Sequence, residues 1–227
     1  MKLKKNIKLL IAVDGGAGSG KTTGAKLISK KYKLNLLSSG ILYRYIAFKL
    51  INNKTVKNKK SFLIKTASKI TLKKLKDRKL YSPEVTEYTS EIAKNKFIRG
   101  LLKKFQKDFS KKNLVCIEGR DIGSIICPNA DLKFFFKCTN LNVRAKRRLR
   151  DFRKFDNKIS LNDVKKALKA RDYIDSRRKH SPLRVLKDSI IIDSSKVNKK
   201  QMLVKLSKII ESKLKNKYAK FKQGWIR

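Results

Sequence analysis

The chain alternates buried apolar runs with helical stripes. Ile7–Val13 is a nearly continuous apolar run ending on Asp14, the pattern of a strand covered on both faces in a parallel sheet. Thr22–Tyr32 carries Ala25, Leu27 and Ile28 at helical spacing. Leu34–Leu37 predicts a short second strand, and Ile41–Ile51 a helix with Leu42, Ile46 and Leu50 on one face. From about Asn52 to Lys112 there is no clear buried strand. A helix is expected at Ser61–Ile70 and a short turned piece, a candidate hairpin, at Thr71–Tyr81. Ser82-Pro83-Glu84 reads as a helix start, a cap followed by Pro at the first position. Helices continue through Phe109.

Leu114–Glu118 and Asp131–Cys138 predict two further buried strands. Leu141–Phe152 and Leu161–Ser176 predict basic helices, Ser189–Asp193 a last strand, and Lys199–Leu214 an amphipathic helix. Strands alternating with helices define an α/β fold with a parallel sheet flanked by helices. No internal repeat or low-complexity linker interrupts it. The long helical insertion is therefore expected to be a subdomain of one catalytic unit.

The loop after the first strand carries the clearest chemistry. Gly15-Gly16-Ala17-Gly18-Ser19-Gly20-Lys21-Thr22 matches G-x-x-x-x-G-K-[ST] at every position. Glycines let the backbone amides turn inward around an anion at a helix N-terminus. Lys21 supplies a cation for the β- and γ-phosphates, and the Thr22 hydroxyl suits Mg²⁺. Thr23 follows in the first helical turn. The alternative is a chance Gly-rich turn, against which stand the buried strand before and the helix after. A P-loop of this kind implies ATP with Mg²⁺ but leaves the acceptor open.

Charge raises a competing reading. The 227 residues include 61 basic and 17 acidic side chains, a net charge of +44, which ordinarily suggests a polyanionic partner. Lys supplies 47 of the 61 and is spread along the chain, while Ile (22) and Asn (14) are also abundant. All three have AT-rich codons, so a coding bias on a solvated surface accounts for much of the excess. A binding tail would concentrate the charge. The apolar run near the N-terminus is too short for a signal peptide and is followed by Asp14 and the Gly-rich loop. No run of apolar residues is long enough to span a membrane. Cys116, Cys127 and Cys138 form no CxxC pair, which favours packing thiols in a reducing cytoplasm.

Arginine is the scarcer cation, and Arg44, Arg99, Arg120, Arg171 and Arg178 recur at element boundaries. Its planar fork suits bidentate recognition of phosphate. Glu118-Gly119-Arg120-Asp121 follows directly on a strand, where ligands bind in open α/β sheets. Glu118 and Asp121 are candidates for a metal's water shell or a polar group of the substrate. The single His180 reads as a surface residue.

Taken in order, IAVDGGAGSGKTT, SSGILYR, SPEV with the following Ser90 and Arg99, EGRDIG, and Arg171-Asp172-x-x-Asp175-x-x-Arg178 leading to Pro182-Leu183 resemble the bacterial cytidylate kinases, from about Ile11 to Asp193. The resemblance implies a P-loop kinase with a core at about 7–52 and 113–215, a monophosphate-binding insertion at about 53–112 and a short lid at about 149–170. It implies that Ser39, Tyr43 and Arg44 contact the acceptor nucleotide, that Ser90, Arg99 and Asp121 read cytosine, and that Arg120, Arg171 and Arg178 bind phosphate or sugar. Asp175 would hold the ribose hydroxyls. Lys21, Arg44, Arg120 and Arg178 would act on the transferred group, and Arg144, Arg147 and Arg148 are lid candidates for the triphosphate. Ser38 stands where the family usually carries Asp.

The implied substrates are ATP and CMP or dCMP, with no dedicated nucleic-acid or membrane partner and a monomeric, cytoplasmic enzyme. The rivals are a kinase for another nucleoside monophosphate and a basic nucleic-acid-binding P-loop ATPase. The latter would usually carry a DEx[DH]-like strand end or an added binding module, and neither is visible. The basic end Lys213–Arg227, with Trp225, reads as a solvated terminus.

Overall fold

The computed structural model describes Leu3, residues 6–155 and residues 157–219. Five strands, β1 (Leu9–Gly15), β2 (Asn35–Ser38), β3 (Leu114–Gly119), β4 (Leu132–Lys137) and β5 (Ile190–Asp193), form one sheet in the order β2-β3-β1-β4-β5. All four pairings are parallel. β1 is central and almost wholly buried, which is why it reads as an unbroken apolar run rather than an alternating one. At the sheet's edges, β5 buries Ile192 but leaves Ile191 exposed, and β2 sends Leu37 and Leu36 into the packing on opposite faces.

Helices α1 (Lys21–Tyr32), α2 (Ser39–Ile51), α6 (Leu141–Phe152), α7 (Leu161–Arg177) and α8 (Lys199–Lys217) surround the sheet. On one face Ala12, Val115 and Ile117 pack with Leu42 and Ile46 of α2 and with the insertion. On the other, Ile11, Val13, Phe134, Phe136 and Ile192 pack with Ala25 and Ile28 of α1 and Leu206 and Ile210 of α8. Fully burying one such side chain contributes about 1.5–3 kcal/mol, so these two layers fix the sheet that carries the site. A smaller cluster, including Ala17, Ala145, Leu149, Val164 and Leu168, seats α6 and α7 against the P-loop.

The insertion contains α3 (Lys59–Ser68), α4 (Pro83–Ile92) and α5 (Lys96–Ser110). Its helices start where short polar side chains can cap them. The Ser82 hydroxyl accepts from the Val85 amide (3.3 Å) with Pro83 at the first position, and Asn95 accepts from Ile98 (3.1 Å). The buried face of α5 is Ile98, Arg99, Leu102, Gln106 and Phe109, a helical stripe with two polar members whose purpose appears at the site.

Observed boundaries differ from the expected ones by about two residues, the usual fraying of helix and strand ends. Two features depart further. Residues 71–81 form no hairpin; they make 3₁₀ turns at Lys74–Lys76 and Arg78–Tyr81. Burial there falls on Leu75 and Leu80 without strand alternation, and the Asp77 carboxylate turns the chain by accepting from the Lys79 amide (2.9 Å). After β3, Ile122–Ile126 forms a π-helical turn that the apolar pattern did not signal. The basic helices expected at Leu141–Phe152 and Leu161–Ser176 form as α6 and α7, so the segment named as lid is mostly helix.

Cys116, Cys127 and Cys138 are buried and unbridged. Among the described residues no helix is long and apolar enough to cross a membrane. Lys217, within the basic end, donates to the Lys8 carbonyl (2.9 Å) and Asp131 (2.6 Å); Trp225 lies outside the described residues.

Candidate active site

The parallel strands end together on one side of the sheet, and a cleft of about 1080 Å³ opens there. That is the volume class of sites that enclose organic ligands. One wall is the P-loop between β1 and α1. Gly18 and Gly20 sit at φ 70° and 85°, the left-handed region that side chains avoid. Ser194, just past β5, pins the loop from below by donating to the Ser19 carbonyl (2.8 Å).

Lys21 is buried, with its ammonium 3.3 Å from the Gly16 carbonyl and 3.9 Å from Glu118. Burial first, and then the charge of Arg120, pull its pKa down from 10.5 to about 7. The lysine is thus short of negative charge. Thr22 donates to Glu118 (3.1 Å), and Ser38 donates to the same carboxylate oxygen. No group of three or more acidic, histidine or cysteine side chains gathers as a metal cage among the described residues. A pairing of Thr22 with Glu118 suits Mg²⁺, which keeps several waters and takes few protein ligands beside phosphate oxygens.

The opposite wall is rich in arginine and balanced by carboxylates. Arg99 donates to Asp121, and Arg178 lies 3.8 Å from that carboxylate's other oxygen. Arg120 donates to Asp175 (2.7 Å), which also faces Arg178 (3.4 Å) and Arg171 (3.9 Å). Burial opposes the charge of Arg120, yet Asp175 raises its pKa overall. Burial likewise opposes the Asp175 carboxylate, but the surrounding arginines lower its pKa. The Ser39 hydroxyl donates to Gln106 (2.5 Å), and the Tyr43 ring lies 5.6 Å from the Arg99 guanidinium. The two polar residues on the buried stripe of α5 therefore serve the cleft.

Among the described residues Arg44 has no carboxylate partner. It donates to the Leu80 carbonyl (2.9 Å) and the Thr86 hydroxyl (2.7 Å). Burial and the nearby charge of Arg148 hold its pKa well below the ordinary arginine value.

The structure brings most of the expected residues into one cleft. Ala17, Gly18, Gly20, Lys21, Thr22 and Thr23 line it with Ser39, Tyr43, Arg44, Arg99, Arg120, Asp121, Arg171, Asp175 and Arg178. Gly15, Gly16 and the 2% exposed Ser19 lie behind the loop's surface rather than on it. Ser90 is only partly covered and does not line the cleft; its helical neighbour Thr89 does. The three lid candidates divide. Arg144 donates to the Ala17 carbonyl (2.8 Å) and pairs with Asp172. Arg147 donates to Ser194 (2.9 Å) and approaches the Gly18 carbonyl (3.5 Å). Arg148 reaches away, to Thr86 on the insertion (3.1 Å).

Sequence reasoning missed Asp14. Its buried carboxylate accepts from the Ile122 (2.9 Å) and Gly123 (2.8 Å) amides, and so fixes the turn that presents Arg120 and Asp121. The position of an acid at the end of an apolar strand was the only signal for it. Four buried side-chain polar atoms lack a hydrogen-bond partner among the described residues, and three of them are Ser19 Oγ, Arg171 Nε and Arg178 Nη2. Buried polar groups are nearly always satisfied; Arg171 and Arg178 line the cleft, so their unpartnered atoms mark where an anionic ligand would complete the network.

Fold and site define a P-loop phosphotransferase whose cleft has two cation-lined walls. A cytidylate kinase family model matches residues 11–212. The chain is 35% identical over 217 residues to the cytidylate kinase of Clostridium tetani (91% of this chain, 95% of that one). It is 34% identical over 213 residues to that of Fusobacterium nucleatum (89% and 97%). The chain belongs to the cytidylate kinase family. A solved structure of an uncharacterized protein from Eubacterium ventriosum, 19% identical, superposes with a TM-score of 0.51 over 90% of this chain and 99% of that one, a likeness of fold.

Proposed function

We propose that the protein transfers the γ-phosphoryl group of ATP to CMP or dCMP, giving ADP and CDP or dCDP. The observation that carries the reading is the pairing, in one cleft, of an anion-poor P-loop at Lys21 with a carboxylate, Asp121, clasped by Arg99 and Arg178. Cytosine offers an amino group to a carboxylate and acceptors to arginine, so the Asp121 end suits the base. Arg44 and Arg120 then face the acceptor phosphate. Asp175 suits ribose hydroxyls.

The acceptor phosphate is already ionised at pH 7, so its oxygen can attack the γ-phosphorus without a strong base. The bond from that phosphorus to the bridging oxygen breaks and ADP leaves. Catalysis is positioning and charge neutralisation. Lys21 holds the β- and γ-phosphates, Thr22 and Glu118 would hold Mg²⁺ through its oxygen and water ligands, and the arginines hold the acceptor in line. Mg²⁺, when bound, neutralises phosphate charge. Arg144 and Arg147 keep the P-loop carbonyls turned outward, which leaves the amides for phosphate.

Coupled ADP release with CMP, dCMP, UMP and AMP tests this. CMP and dCMP should give the highest turnover. Turnover with AMP equal to that with CMP would sink the cytidylate assignment, and stimulation of ATP hydrolysis only by RNA or DNA would replace it with the nucleic-acid reading.

A further inference from the structure

The Thr86 side chain belongs to none of the roles described above, yet it lies between two of the cleft's arginines. Its hydroxyl oxygen accepts from Arg44 of α2 at 2.7 Å and from Arg148 of α6 at 3.1 Å. A hydroxyl oxygen has two lone pairs, and both are used on cations. The next threonine of the same helix behaves differently: Thr89 donates back to the Val85 carbonyl (2.6 Å), the ordinary habit of threonine in a helix. Thr86 is 7% exposed and does not line the cleft, so its side chain would act through the two guanidiniums it holds.

Among the described residues those guanidiniums lack strong counterions. Arg44 is otherwise held by the Leu80 carbonyl and the Tyr81 ring (5.2 Å). Arg148 has Asp151 at 3.9 Å and the Phe152 ring at 4.3 Å. Two like charges converging on one neutral oxygen repel each other, and the arrangement favours an anion that both can grip. A phosphoryl group has enough oxygens for the purpose.

We propose that Thr86 is a positioning residue that sets Arg44 and Arg148 as a pair around the transferred phosphoryl group, and so ties the insertion to the segment leading into the lid. The inference rests on the kinase reading given above. It assigns to Arg148, alone among the three lid arginines, an attachment to the acceptor side.

The test is a mutant cycle with CMP and MgATP as substrates. Thr86→Val keeps the shape and removes the acceptor; it should lower kcat by about thirtyfold with the KM for ATP within threefold of wild type, because the P-loop is untouched. Thr86→Ser should restore kcat to within threefold. In an Arg148→Gln background, already slowed, Thr86→Val should cost less than fivefold more. If Thr86→Val proves too unstable to purify, Thr86→Cys, whose sulfur is a poor acceptor, takes its place with the same expectation. A Thr86→Val enzyme within twofold of wild-type kcat, or one whose loss is undiminished beside Arg148→Gln, would overturn the proposal. A wild-type enzyme inactive on CMP would overturn the kinase reading along with it, whereas an active wild type with an inert substitution overturns the inference alone.

Discussion

The two walls of the cleft solve opposite electrostatic problems. On the acceptor wall, Arg99, Arg120 and Arg178 each have a carboxylate within 4 Å. On the donor wall, Arg147 spends its donors on Ser194 and the Gly18 carbonyl, and Arg144 divides its own between the Ala17 carbonyl and Asp172; the central cation Lys21 has, among the described residues, only Glu118 as a carboxylate within 4 Å, at 3.9 Å and shared with Thr22 and Ser38. Apart from Arg44, the acceptor wall is balanced by carboxylates, which hold its cations in place before substrate arrives. The donor wall is under-balanced at Lys21, where a polyphosphate would supply the missing charge. The difference suits a monophosphate recognised through its base and sugar, and a triphosphate recognised through its charge.

Removing the central donor cation should break the comparison most visibly. Lys21→Ala is expected to lower kcat by about 100-fold or more, the scale of losing one transition-state charge contact, while the melting temperature stays or rises because a strained buried cation is gone. Near-wild-type turnover would show that the phosphates are held elsewhere. On the acceptor wall, Asp121→Asn removes charge from between Arg99 and Arg178. The preference for CMP over UMP should fall by about 1–3 kcal/mol, the value of a buried charged hydrogen bond. An unchanged CMP/UMP ratio would take Asp121 out of base recognition.

These two sites also show how far the sequence could be read. The P-loop is local: eight consecutive residues specify the turn, the amides and the cation, so it was legible in full. The arginines of the acceptor wall were legible as scarce cations at element ends, but their partners were not. Asp14 meets Ile122 and Gly123 across 108 and 109 residues, and Ser39 meets Gln106 across 67. Such pairings follow from the strand order β2-β3-β1-β4-β5, which apolar periodicity does not specify. Ser90 against Thr89 is a matter of one helical step, about 100° of rotation, and the stripe of α4 alone could not resolve which one faces the cleft. The +44 charge proved the least informative feature, since among the described lysines only Lys21, Lys26, Lys154 and Lys199 line the cleft while the rest lie elsewhere.

A smaller change sharpens the contrast around Glu118. Ser38 now serves as a donor to it, where a carboxylate would be a second acceptor. Ser38→Asp would place two carboxylates together beside Thr22 and make the donor wall less starved of negative charge. The Mg²⁺ concentration for half-maximal rate should fall by about threefold, because charge count at an oxygen site sets its cation affinity. Unchanged Mg²⁺ dependence would show that position 38 does not bear on the metal.

The subtlest consequence is a proton. Lys21 titrates near 7 in the ligand-free protein, so about half of it is neutral at pH 7, whereas a lysine on a polyphosphate is fully charged. Binding preformed MgATP should then take up about half a proton at pH 7 and close to a whole one at pH 8, by the linkage between charge state and binding. The apparent affinity should be about twofold below its low-pH limit at pH 7 and fall further as the pH rises. The sign for folding is set by the same group. The unfolded chain holds this proton up to about pH 10.5 and the folded chain only to about 7. Between those values the unfolded state binds more protons, and the contribution of Lys21 to ligand-free stability rises with pH. Calorimetric titration of MgATP in two buffers of different ionisation enthalpy at the same pH reads the uptake directly, and Lys21→Met should abolish it. Proton uptake that is zero at pH 8, or that persists in Lys21→Met, would mean that the donor wall carries its full charge before the nucleotide arrives, and the distinction between the two walls would fail.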